Sequence, residues 1–279
     1  MIFRLVYYEA LKTFLKKRTY LGFLIVIVVI LIVEYAMKLE GGRFLSRTLR
    51  SLEQDFIVVG NLFNGWFVAR EIMYSLWFHI PLLISFVAGD QLAGESTAGT
   101  YRLILTRPVS RSRIFLSKWI TTVIYTTSFV FFLGLFSISF AVLLLGGGDM
   151  IVFDRGILIL PESDVAWRFF AAYIFATWSM LTMASIALFF SSFVENAIGP
   201  IIATMGVLII FNIVTFLPLE VFEPVRPFLF TLYLNHWQKM FLDPIPWSDV
   251  LQGAAVLGTY SLATGIGAWF IFDRKDILS

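Results

Sequence analysis

The 279-residue chain has no cysteine, only two histidines, and few charges: 14% of its residues are Asp, Glu, Lys or Arg. The missing cysteine excludes disulfides and thiolate metal sites, although it does not identify the compartment. With His79 and His236 alone, a His-rich metal centre and an H-E-x-x-H motif are excluded as well. No G-x-x-x-x-G-K-[ST] sequence occurs, so no Walker loop for nucleotide phosphates is present. A soluble domain of this length carries about 25% charged residues. The shortfall, together with 59% hydrophobic residues and a mean hydropathy of +0.85, leaves a polytopic integral membrane protein. Beside the spans there is no room for a soluble catalytic domain. The net charge of +2 gives nucleic acid nothing to recognise.

A span needs about 20 mostly apolar residues. Apolar runs that meet or approach this cover residues 19–37, 72–89, 119–148, 169–194, 196–219 and 250–272. The expected fold is therefore all-α, one transmembrane domain over residues 1–279 with six spans. In the first run Glu34 is expected at interfacial depth. The third run is long enough to tilt or to break near Gly134. A cleavable signal peptide is not expected, because no small-residue cleavage site follows the first apolar run before Glu34.

Basic residues give the orientation, since cytoplasmic loops are enriched in Lys and Arg. The N-terminal tail holds Arg4, Lys12, Lys16, Lys17 and Arg18 against Glu9. The 90–118 loop holds Arg102, Arg107, Arg111, Arg113 and Lys118 against Asp90 and Glu95. Both termini and this loop are expected on the cytoplasmic side of a plasma (inner) membrane. The mixed-charge segment 38–71 falls outside, with an amphipathic piece around residues 44–57. Residues 2–18 read as an amphipathic helix lying on the inner leaflet. Phe3, Tyr7, Ala10 and Phe14 make its apolar stripe, and Arg4, Tyr8, Lys12 and Lys16 its cationic row. The proline-rich segment 220–249 contains FLFTLYLNHW, too short to span. It reads as a re-entrant or interfacial helix before the last span, with Tyr233, Trp237 and Trp247 at headgroup level.

The 90–118 loop is the most motif-like part of the chain. A helix could start near Asp90, its acids early as the macrodipole prefers, and end by Gly99. Pro108 forces an extended break before it, and Ser110 is placed to cap the helix that continues through Lys118. The product is a small elbow projecting from the membrane.

Gly89, Asp90, Glu95, Gly99 and Thr100, followed by Leu105, Pro108, Ser110, Arg111 and Lys118, carry a resemblance. The segment is similar to the GD-x-x-x-x-E-x-x-x-GT and L-x-x-P-x-S-R pattern of type-2 ATP-binding-cassette (ABC) transporter permeases. The terminal FDRKDI and the six-span layout resemble that family too. The resemblance implies that the elbow is a coupling helix docking on a separate ATPase subunit, with Asp90, Glu95, Thr100, Arg107, Arg111 and Arg113 as its polar contacts. ATP and Mg would be bound by the partner ATPase dimer, with no cofactor, metal or catalytic residue in this chain. A second permease chain, identical or different, would complete a path between paired second and fifth spans. His79 and Asn212 would be candidates on that path.

Read on their own, these residues have plainer alternatives: arginines on lipid phosphates, His79 satisfied by a neighbouring carbonyl, Asn212 in an interhelical hydrogen bond, Glu195 in a solvated turn. The functional expectation is a permease subunit, an exporter, driven by a separate ATPase. The alternative is an ion-coupled secondary carrier, which normally needs ionisable groups at membrane depth. An intramembrane enzyme lacks the paired acids or metal ligands it would require. The substrate is not legible.

Overall fold

The computed structural model describes residues 2–49, 63–101, 109–154 and 156–275. It is helical almost throughout. Helix α1 (Ile2–Leu15) is followed after one residue by α2 (Lys17–Leu49), then α3 (Gly65–Leu76), α4 (Ile80–Thr97) and α5 (Arg111–Leu145). A hairpin of β1 (Met150–Asp154) and β2 (Gly156–Leu160) leads to α6 (Glu162–Phe193) and α7 (Gly199–Phe216). Short 3-10 turns, the single-turn α8 (Phe230–Tyr233) and a 3-10 stretch (Leu234–Phe241) precede α9 (Trp247–Arg274).

Five helices, α2, α5, α6, α7 and α9, are long and apolar enough to cross a membrane. The chain is a membrane-embedded helical protein. Helices α3 and α4 pass the same test only together, across a 54° bend. Pro81 sits in the first turn of α4, where it supplies no N–H and blocks a straight continuation from α3. The second span expected over 72–89 is thus replaced by a bent pair reaching from Gly65 to Thr97.

Helix α6 is the hub, packing against α4, α5, α7 and α9. Several of its core-facing positions are small or hydroxylated, which lets neighbouring backbones approach and gives them hydrogen-bond donors. Ser179 Oγ donates to Leu234 O at 3.3 Å, Thr182 Oγ1 to Leu257 O at 3.1 Å, and Ser191 Oγ to Gly89 O at 2.5 Å. Helix α5 runs unbroken through Gly134. A Cβ at that glycine would lie 2.8 Å from the Tyr173 ring, so its role is close helix contact rather than a break.

The connection between α5 and α6 contains the β1–β2 hairpin, pairing Met150 with Leu160 and Asp154 with Gly156. Asn64 ties it to α3: its Oδ1 accepts from Phe67 N, capping the helix, and its Nδ2 donates to Asp149 O at 2.7 Å. Of the three aromatics in and just after the segment before α9, Tyr233 and Trp237 are buried in protein, 3% and 2% exposed, and Trp247, the first residue of α9, is exposed. Residues 234–241 pack on α6, and residues 230–233 on α9. Buried Arg168 holds the end of that segment, donating to Met240 O and Leu242 O. His236 in the same segment shares a 3.0 Å bond with Asp249 O, and burial with Lys239 nearby lowers its pKa from the ordinary value. Most of the 44–57 piece expected to be amphipathic lies outside the described residues.

Candidate functional site

The polar end of α4 is where the chain concentrates its charge. Asp90, Gln91 and Glu95 are all buried there, because α1 folds back over them. The single-residue break between α1 and α2 is closed by Thr19, whose Oγ1 donates to Thr13 O at 2.5 Å and whose N–H reaches Lys16 O at 3.0 Å. This turn points the cationic row of α1 at the acids of α4. Lys12 bonds Glu95, Arg18 bonds Asp90, and Lys16 Nζ lies 2.8 Å from Asp90 Oδ2. Gln91 Nε2 donates to Thr13 Oγ1 at 3.2 Å.

The same cluster reaches α5. Lys118, fully buried, donates to Glu95 Oε1 at 2.9 Å and to Glu9 Oε2 at 3.0 Å. Thr100 Oγ1 also donates to the Glu95 carboxylate. Lys12, Lys16, Arg18 and Lys118 thus meet Glu9, Asp90 and Glu95 where α1, the start of α2, α4 and α5 converge. Burial of this kind tolerates charge only because each ion has opposite partners and hydrogen bonds. Chemically the cluster is a clamp. It fixes α1, α4 and α5 against one another; among the described residues no set of three metal-ligating side chains occurs.

Of the six residues expected to contact an ATPase, five lie among the described residues. Asp90 and Glu95 do not face outward as docking contacts: both turn their carboxylates into the chain. Thr100 is half-buried against Glu95. Arg111 caps the end of α9, donating to Asp273 O at 3.0 Å and Lys275 O at 2.8 Å, where a cation suits the helix C-terminus. Arg113 is exposed. Arg107 lies outside the described residues. Ser110 does occupy the N-cap of α5, although its side chain makes no capping bond. Helix α4 does stop short of Gly99, which takes a positive φ of 63°, but it begins well before Asp90, at Ile80, rather than beside it.

Among the described residues, the tip Thr97–Gly99 and the α6–α7 turn at Glu195 and Asn196 are exposed at this end. Thr97 Oγ1 donates to Glu195 O at 2.8 Å, so the two turns make one polar face. Sequence distance hides that pairing.

His79, Asn212 and Glu34 lie in or beside apolar helices. His79 is exposed at the α3–α4 bend, with Nδ1 3.2 Å from Ser75 O, so the neighbouring carbonyl does satisfy it. The Asn212 side-chain nitrogen on α7 is buried with no hydrogen-bond partner among the described residues, and the expected interhelical bond is not made there. Glu34 is wholly buried in protein, and both carboxyl oxygens lack partners among the described residues. Val26 and Ile30, eight and four residues earlier on the same face, are buried with it. The i,i+4 row is the available signal, but α2 is apolar all round and marks no inner face.

Comparison with known proteins adds a family but no chemistry. A family model described as "Protein of unknown function (DUF2705)" matches residues 25–278. The chain belongs to that family. No curated protein matches it.

Proposed function

We propose that this DUF2705 protein is the membrane-spanning permease subunit of an ABC transporter, an exporter driven by a separate ATPase subunit. The observation that supports it best is the buried clamp: an elbow fixed to three helices can pass a push at its tip to the spans without bending first. The docking surface in this reading is the exposed face at Thr97–Gly99 and Glu195, with Arg113 adding to it. Asp90, Glu95 and Lys118 stiffen the elbow from within rather than touching the ATPase.

The finer topology belongs to the same reading. The bent α3–α4 pair counts as one broken span, making six, and both termini and the elbow are cytoplasmic. Helix α1 lies in the interface with exposed Phe3, Tyr7 and Leu15 toward lipid. A second copy, or a related chain, meets α7, whose exposed Ile202, Ile209, Ile213 and Phe216 follow a four-three spacing with open Gly206 between. ATP binding closes the ATPase dimer, the elbows move with it, and the permease halves rock about their interface.

A photo-crosslinking residue at exposed Ala98 tests the docking face in native membranes. Capture of an ATPase subunit is expected; capture of lipid alone counts against the reading. One observation favours the second reading, an ion-coupled carrier: Glu34 is a buried ionisable group within an apolar helix long enough to span, where such residues are functional by default.

A further inference from the structure

A cavity of about 330 Å³ opens between the α1–α2 turn, α4 and the start of α7. Its floor is apolar, formed by Gly22, Ile25, Leu83, Phe86 and Ile201, and its rim carries Lys16 and Arg18. Tyr125 closes the inner wall. Its ring is packed among Phe14, Phe23 and Phe129, yet its hydroxyl is fully buried with no hydrogen-bond partner among the described residues. Gly22 keeps the space beside that hydroxyl open: a Cβ there would stand 3.6 Å from Tyr125 Oη and 3.2 Å from Phe129.

We infer that this cavity seats the headgroup end of one anionic phospholipid. Both rim cations already meet Asp90, but two positive charges face one carboxylate, so the rim stays net positive. Their side chains are 32% and 56% exposed, and an ammonium with three donors and a guanidinium with five have bonds to spare. A phosphate diester between them gains charge-assisted hydrogen bonds. The acyl chains then run over the apolar floor toward the bilayer. A soluble anion would leave the floor unfilled, and a zwitterionic lipid would return a positive charge to a positive rim. The lipid would join α1 to α4. This inference does not rest on the transporter reading.

The test uses the full chain, purified in mild detergent, delipidated, and incubated with micelles of phosphatidylglycerol or phosphatidylcholine. Bound lipid is counted by native mass spectrometry and thermal midpoints are recorded. About one phosphatidylglycerol per chain is expected, with a raised midpoint and roughly tenfold preference over phosphatidylcholine, the scale of one charge-assisted contact. Lys16→Gln with Arg18→Gln should abolish the preference. Ile25→Trp, which leaves the charges alone and fills the floor, should abolish retention of either lipid while the lipid-free midpoint holds. Equal retention of both lipids by the unmodified chain would overturn the inference, as would unchanged retention by Ile25→Trp. Protection by inorganic phosphate alone would assign the rim to free anions instead. A lipid-free dimer disrupted by Ile25→Trp would assign the cavity to a second copy.

Discussion

Lys118 is the most deeply buried cation among the described residues, and it faces Glu95 at 2.9 Å. The pair joins the base of α5 to the end of α4, while Glu9 brings in α1 at the same ammonium. Removing Lys118 takes its ammonium from Glu9 and leaves Glu95 with Lys12; breaking a buried pair typically costs about 3–5 kcal/mol. Lys118→Met is therefore expected to lower the thermal midpoint in detergent sharply. The double variant Lys118→Met with Glu95→Gln should recover part of the loss, because it strands less charge. Equal and additive losses, read by differential scanning fluorimetry, would mean the two residues do not interact.

Arg111 gives a more local prediction. Its guanidinium holds the last carbonyls of α9, so Arg111→Gln should loosen the C-terminal end and leave the spans intact. Limited proteolysis is the measurement: faster cleavage after Phe272 is expected, with an unchanged gel-filtration profile.

Burying a polar group without a partner costs about 1–3 kcal/mol in proteins. Glu34→Leu should thus raise the thermal midpoint, even though it removes an ionisable group. A lower midpoint would mean that Glu34 has a partner the described residues do not include. Impaired transport with a raised midpoint would mark Glu34 as a functional ion site and favour the carrier reading.

His236 predicts a pH effect of known sign. Burial lowers its pKa in the folded chain from the usual 6.5, so below that pH the unfolded state binds more protons than the folded one. Stability should fall as pH drops through 6.5 toward the lowered value, then level off. His236→Gln should flatten that decline, as followed by midpoints between about pH 5 and 8.

Because the chain has no cysteine of its own, Gly206→Cys is a clean probe of the α7 surface. Oxidative cross-linking in membranes should give a dimer band. Leu251→Cys, on the exposed side of α9, serves as the negative control. Cross-linking at Leu251 but not at Gly206 would move the contact to α9.

The spans are legible in the sequence because apolar runs of this length leave few alternatives, and the end of α4 is legible because Gly99 punctuates it. Pro81 signals a loosening of the second span, but nothing in the sequence says that α3 extends the bent pair back to Gly65. Pairing at long range is what local pattern cannot supply. Lys12 and Glu95 are 83 positions apart, and nothing local distinguishes a lysine aimed at lipid from one aimed at a carboxylate. The hairpin is hidden for another reason: MIVFD and GILIL are short apolar runs between two spans, and length alone does not separate strand from interfacial loop. The burial of Tyr233 and Trp237 is not legible because aromatic residues near a span suit a headgroup layer and a protein core equally well.

Affinity purification of the tagged chain from its own membranes in mild detergent, with mass spectrometry of what accompanies it, tests the central claim most directly. The account predicts a stoichiometric ATPase subunit with its own Walker motif, lost when Ala98 at the elbow tip is replaced by Trp. A single component, stable across detergents and active in ion-driven uptake or efflux after reconstitution, would contradict it.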